Sequence, residues 1–153
     1  MSFRWPVQRP RCAVHTVRCN GHGPRGIPMR MAPPNLPAKV CATCGRTFAW
    51  RKKWARAWAE VTHCSDRCRS RRNRGEKTEL ETRILALLAQ RARGATLCPS
   101  EVLPDEEKQD AQRMESVRAA ARRLAHGATI DILQRGVVVD PDDARGPIRL
   151  RLR

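Results

Sequence analysis

The chain has 153 residues, with 31 Lys and Arg against 15 Asp and Glu and a net charge of +16; it holds one domain or two very small ones, and its charge calls for an anionic partner, most simply nucleic acid. No apolar run approaches the ~18 residues of a bilayer span, and the N-terminus lacks the uninterrupted apolar stretch of a signal peptide. The composition therefore reads as a soluble, intracellular protein with reduced cysteines.

The excess charge is uneven. Residues 1–30 hold six Arg and no acid, residues 39–77 hold 12 basic and three acidic residues, and residues 78–153 hold 13 and 12. The pattern divides the chain into an arm over 1–37, a basic module over 38–74 and a nearly neutral module over 78–153. The arm is rich in Pro, Gly and Arg, and Pro6, Pro10, Pro24 and Pro28 break helix and strand alike, so it is expected to be disordered. Its Cys12, His15, Cys19 and His22 follow no compact ligand spacing. Met29 and Met31 are alternative starts; a start at Met31 removes six arginines and lowers the excess to about +10.

The basic module carries Cys41-x2-Cys44 and Cys64-x3-Cys68. A segment of this size cannot bury enough surface to offset its chain entropy, so it needs a staple. Four thiolates around a tetrahedral Zn²⁺ supply one, contributing on the order of 10 kcal/mol or more. Gly45 lets the backbone turn so that amides face the sulfurs. Ser65 is a good N-cap, which places Cys68 in the first turn of a helix running through Arg69, Ser70, Arg71 and Arg72, where the helix dipole favours a thiolate. Disulfides or a redox-active pair are the alternatives, and neither a secretory signal nor a thioredoxin-like pattern supports them. His63 would be a surplus ligand and is expected to pack beside Cys64.

Between the pairs, Trp50, Trp54 and Trp58 recur every fourth residue, which places them near one face of a helix. At least two are expected to form a miniature core with Phe48 and Val61. One ring, assigned to Trp58, is left as a stacking platform for an unpaired base. Arg51, Lys52, Lys53 and Arg56 surround them, and Arg67, Arg69, Arg71, Arg72 and Arg74 follow as a phosphate clamp, since arginines so close together repel one another without an anion.

In the third module, Thr78-Glu-Leu-Glu81 is a capping box opening a helix with Leu80, Ile84, Leu87 and Leu88 on one face, ended by Gly94. Pro99-Ser-Glu-Val102 reads as a brief second helix stopped near Pro104. A third helix carries Met114, Val117, Ala121 and Leu124 up to Gly127. Ile130, Ile132, Val137 and Val139 flank Leu133-Gln-Arg-Gly136 as a hairpin, and Ile148, Leu150 and Leu152 alternate as a last strand. Helices followed by a hairpin give the element order of a winged helix, an α+β fold whose third helix can enter a major groove. That helix would offer Arg113, Arg118, Arg122 and Arg123, and the hairpin tip Gln134 and Arg135. Cys98 is expected to pack as a small apolar residue.

The run Cys41-Ala-Thr-Cys-Gly-Arg-Thr-Phe-Ala-Trp50 through Trp58, closing with Cys64-Ser-Asp-Arg-Cys68, resembles the bacterial family called domain of unknown function 2256. The tail, with Cys98-Pro-Ser-Glu-Val102, Val117-Arg118, Arg123-Leu-Ala125, Val139-Asp-Pro141 and Arg145-Gly-Pro-Ile-Arg-Leu150, resembles domain of unknown function 3253. Asp110 and Ala111 stand where that family usually has tryptophan and arginine. The resemblance implies bacteria, a zinc-finger-like module and a winged-helix-like module, and it supplies no activity; with the intracellular reading above, the expected location is the bacterial cytoplasm.

The sequence thus points to a non-enzymatic zinc protein that binds DNA or RNA, the basic finger holding phosphates and the winged helix placing it. The alternative is a zinc-dependent adaptor docking on a protein such as a nucleic-acid enzyme. An enzyme is disfavoured because four sulfurs close the coordination shell, and no nucleotide loop, cofactor box or small-molecule site is evident.

Overall fold

The computed structural model describes residues 36–153 apart from Asn73 and the side chain of Arg74. The described residues belong to one compact unit. Most of the 1–37 arm, with Cys12, His15, Cys19 and His22, lies outside them.

A short antiparallel pair opens the described chain, β1 (Ala38–Val40) with β2 (Thr47–Ala49), Lys39 facing Phe48 across it. The expected tryptophan helix does not follow. Trp50 prolongs the strand, its N–H bonded to Pro37 O at 2.8 Å, and two 3-10 turns, Lys52–Trp54 and Trp58–Glu60, carry the other two rings. The reason is packing: the turns fold Trp54 and Trp58 onto Phe48, with ring centroids 5.5 and 5.7 Å away edge-on, and stack them on each other at 5.8 Å. Carbonyls around the second turn are gathered by Lys39 Nζ, which donates to Trp58 O at 2.6 Å, Ala59 O at 2.8 Å and Val61 O at 3.4 Å. A cation here replaces the helical amides that a longer element would have offered.

Next come α1 (Asp66–Ser70), two residues shorter than expected, and α2 (Arg74–Ala89). The capping box at Thr78 is not the start of α2, which begins one turn earlier. Glu76 in that turn pairs with Arg113 at 2.5 Å, so a tertiary ion pair draws the first turn into the helix. After β3 (Thr96–Leu97), the brief second helix is a single 3-10 turn, Pro99–Val102. The third helix, α3 (Ala111–His126), is capped by Asp110, whose carboxylate accepts from Gln112 N at 2.7 Å and Arg113 N at 3.2 Å. This is what the departure at Asp110 does: it supplies an N-cap.

Strands β4 (Ile130–Gln134), β5 (Val137–Val138) and β6 (Arg149–Leu152) complete an antiparallel sheet in the order β3-β6-β4-β5. Arg135 and Gly136, with φ of 51° and 83°, form the two-residue turn that matches strand twist, so β4 runs two residues further than the sequence implied. The last strand takes the centre, between β3 and β4, and its Leu150 is fully buried with Ile130, Ile132 and Leu97 beneath α2 and α3. Asp131 fixes β6 to β4 by accepting from Arg151 at 2.8 Å and Arg153 at 2.6 Å.

Two outcomes follow from this sheet. Leu150→Ala leaves a cavity at its centre and is expected to cost about 2–5 kcal/mol, read as a lower urea midpoint at unchanged m. The hydrogen bonds from Arg151 and then Arg153 hold the Asp131 carboxyl below its ordinary 3.8, so its contribution is complete above that value and disappears as pH falls through the lowered one. The stability difference between wild type and Asp131→Asn should therefore be present at neutral pH and shrink under acid.

Candidate metal centre and basic face

The two cysteine pairs meet. Cys41 and Cys44 leave β1 at the turn before β2, and Cys64 and Cys68 flank the start of α1; their four sulfurs all lie within 4.8 Å of one another. Sγ of Cys64 is 3.8 Å from that of Cys44 and 3.6 Å from that of Cys68. None of the four is in a disulfide. A tetrahedron with metal–sulfur bonds of about 2.3 Å has edges of about 3.8 Å, so donor type, number and spacing all fit one soft divalent ion.

Local sequence builds this geometry as expected. Gly45 has φ +70°, and its N–H returns to Cys41 O at 2.9 Å. Ser65 Oγ caps α1 by accepting from Cys68 N at 3.2 Å, and the Cys64 N–H approaches Cys41 Sγ at 3.5 Å. Without a cation the four thiols compete for ionisation. A hydrogen bond from the Cys44 thiol, helped by the amides of Cys44, Cys64 and Thr43, pulls Cys41 down to about 4. The same bond pushes Cys44 up, with burial adding to it, and burial followed by the Cys68 and Cys41 contacts pushes Cys64 up. One thiolate is easy and four are not, until a divalent charge sits among them.

The module is docked on α3. Gly45 is buried against that helix so closely that a Cβ on it would lie 2.6 Å from Ala119 O and 2.9 Å from Arg122 Cβ. Arg122, 5% exposed, donates from Nε to Cys44 O at 2.8 Å and pairs with Glu115 at 2.5 Å. Arg123 donates from Nη1 to Thr43 O at 2.8 Å and pairs with Glu81 at 2.5 Å. Thr47 N adds a bond to Asp142 at 3.0 Å from the loop before β6.

This placement corrects part of the sequence reading. Arg122 was expected to face phosphate and is instead a buried strut holding the cysteine turn. Arg123 does the same, and Arg113 is spent on Glu76 and Glu107. Arg118 is half-buried, with Nη1 on Gly146 O at 3.0 Å. Trp58, assigned the exposed position, is half-buried, stacked on Trp54 and covered by Lys39 Nζ 4.9 Å from its ring. Trp54 carries Arg51 at 5.6 Å and Lys53 at 5.0 Å. Of the sequence candidates, Arg51, Lys52, Lys53, Arg56, Arg67, Arg69, Arg71, Arg72 and Arg135 are exposed; the side chain of Arg74 is not described. The struts had no sequence signal, because an arginine on a helix looks the same whether it meets solvent or a carbonyl.

Residues 77–153 match the family model described as Protein of unknown function (DUF3253). The chain belongs to that family. Residues 33–71 match a second model, described as Uncharacterized protein conserved in bacteria (DUF2256), so both resemblances read from the sequence are present in one chain. No curated protein matches it.

The docking yields a prediction. Gly45→Ala forces a Cβ into the α3 backbone at a positive φ and is expected to destabilise by more than about 1 kcal/mol. Arg122→Ala leaves Cys44 O without its buried donor, while the half-exposed Glu115 turns to solvent, and is expected to cost about 1–3 kcal/mol. Thermal unfolding monitored separately by tryptophan fluorescence and far-UV circular dichroism should show both probes shifted down together in each variant.

Proposed function

We propose that the protein is a non-enzymatic zinc-containing nucleic-acid-binding protein of the bacterial cytoplasm, in which the cysteine module presents a basic face to phosphates and a winged-helix-like domain holds that face in place. Zinc is the reading best supported by four cysteine sulfurs at tetrahedral spacing, a donor set that closes the shell and leaves no coordination position for catalysis. The helix–strand–turn–helix–hairpin order of residues 74–153 supports the winged-helix assignment.

The observation that carries the binding reading is the separation of charge. Among the described residues, every ion pair lies between Glu76 and Arg153, outside the cysteine module. Arg51, Lys52, Lys53, Arg56, Arg67, Arg69, Arg71 and Arg72 have no acidic partner among the described residues. So many unpaired cations on so small a module are a polyanion surface. The outer face of α3 is occupied by the cysteine turn, so contact falls to this face and to Arg135 at the hairpin tip, away from the third helix. Such contacts fix position on a backbone and read no bases.

The alternative, a zinc-dependent protein adaptor, draws on edge strand β5, where Val137 and Val138 are 66% and 48% exposed, as an edge that another chain could extend.

Two measurements test the proposal. Metal analysis of the purified chain should give one zinc per molecule, and Cys64→Ser should abolish it. Fluorescence anisotropy against single-stranded RNA, single-stranded DNA and duplex DNA should show affinity falling steeply with salt. Converting Arg69, Arg71 and Arg72 to Ala should reduce the log–log slope by about 2 on a single strand. No binding at low salt overturns the nucleic-acid reading and leaves the adaptor.

A further inference from the structure

A cavity of about 340 Å³ lies where the cysteine module meets α2 and α3. Its size is at the scale, upward of about 300 Å³, at which a pocket encloses a small organic group. The walls come from both modules: Ala42 and His63 on one side, Leu80, Ser116 and Ala119 on the other. Neither module alone has it.

Charge around the cavity is not balanced. Glu76 and Arg123 both line it, but Glu76 is held by Arg113 and Arg123 by Glu81, each at 2.5 Å. Arg71, Arg72 and Lys77 also line it and have no acidic partner among the described residues. The lining is therefore split in kind: three unpaired cations, an apolar surface from Leu80, Ala42 and Ala119, and a few polar groups. The Ser116 hydroxyl makes no protein hydrogen bond among the described residues. His63 uses Nδ1 toward Thr62 Oγ1 at 2.9 Å, which leaves its other ring nitrogen unengaged.

An inorganic anion would satisfy the cations and leave the apolar surface bare. An acyl chain would cover that surface and strand the hydroxyl and imidazole without partners. A group with an anionic phosphate head and a flat, polar-edged body satisfies all three, and a nucleoside 5′-phosphate, free or within a strand, is that group. We infer that the cavity takes one unpaired nucleotide, its phosphate on Arg71, Arg72 and Lys77 and its base over Leu80 and Ala119 with an edge toward Ser116 and His63. This rests on the nucleic-acid reading above and deepens it. A base paired within a duplex cannot leave its stack without an unpairing cost, so the cavity makes the protein prefer single strands, loops or ends over continuous duplex.

The test uses the full zinc-loaded chain. Calorimetric titration with adenosine 5′-monophosphate, adenosine and inorganic phosphate should give the monophosphate an affinity at least tenfold above either fragment. Ser116→Phe fills the cavity without altering charge; it is expected to weaken the monophosphate and single-stranded RNA at least tenfold while leaving duplex DNA affinity and its salt slope unchanged. R71A/R72A, a surface change, should also weaken the monophosphate at least tenfold, and it serves alone if the Phe variant does not fold. A monophosphate bound no better than phosphate, or as well by folded Ser116→Phe or R71A/R72A as by wild type, overturns the inference. If strands still bind with a salt slope in that case, the basic-face reading stands and only the cavity falls. Monophosphate bound with no strand binding at all overturns the strand assignment.

Discussion

The guanidinium of Arg122 is buried where the cysteine module meets α3, and the joining of the two modules depends on what it and Arg123 bond. Their N–H groups end on Cys44 O and Thr43 O, the backbone of the turn that presents two of the four sulfurs. A guanidinium this deep is tolerable only when its donors are filled, and here a carbonyl and a carboxylate fill them. The shape of the turn that presents the sulfurs and its attachment to α3 are therefore linked, and a metal held by the four sulfurs would be linked to both.

The close contact at Gly45 makes the same linkage steric. The α3 backbone lies this close to the turn only because residue 45 has no Cβ, and the turn itself has the positive φ that Gly tolerates. One residue thus meets two separate constraints, ligand geometry and helix packing. The consequence for function is a division of labour between surfaces. The side of α3 that a winged helix would present outward is covered, and the exposed cations lie on the covering module.

What the sequence revealed follows from which forces act locally. Metal-ligand spacing and the Ser65 cap are short-range patterns, and each was found where expected; the alternating strands were legible too, although β4 runs two residues past the expected turn. The Trp50–Trp54–Trp58 spacing misled because a four-residue repeat fits a helix and also fits a pair of tight turns; Lys39, distant in sequence, decides between them by satisfying the carbonyls of the second turn. The start of α2 was misplaced for a similar reason, since Glu76 is recruited by Arg113 across the fold. Arg122 looked like a phosphate ligand because its only distinguishing feature, a carbonyl from another module, is a tertiary fact. The cavity was invisible for the same cause: its two walls are far apart in the chain.

Charge completes the argument. In the second module arginines and acids alternate closely enough to neutralise one another, and the structure pairs them, with Arg91 on Glu101 and Arg151 and Arg153 on Asp131. The cysteine module has only Glu60 and Asp66 among its described acids, and neither joins an ion pair, so its cations remain a concentrated field over a small area. Self-repulsion of this kind destabilises a fold that apolar burial barely supports. Phe48, Val61 and the two stacked tryptophans are most of the module's core, which leaves the α3 struts, and any metal held by the four sulfurs, as the terms able to hold such a field together. A module stabilised in that way can keep its arginines unneutralised, and unneutralised arginines at a defined spacing are what a phosphate backbone recognises.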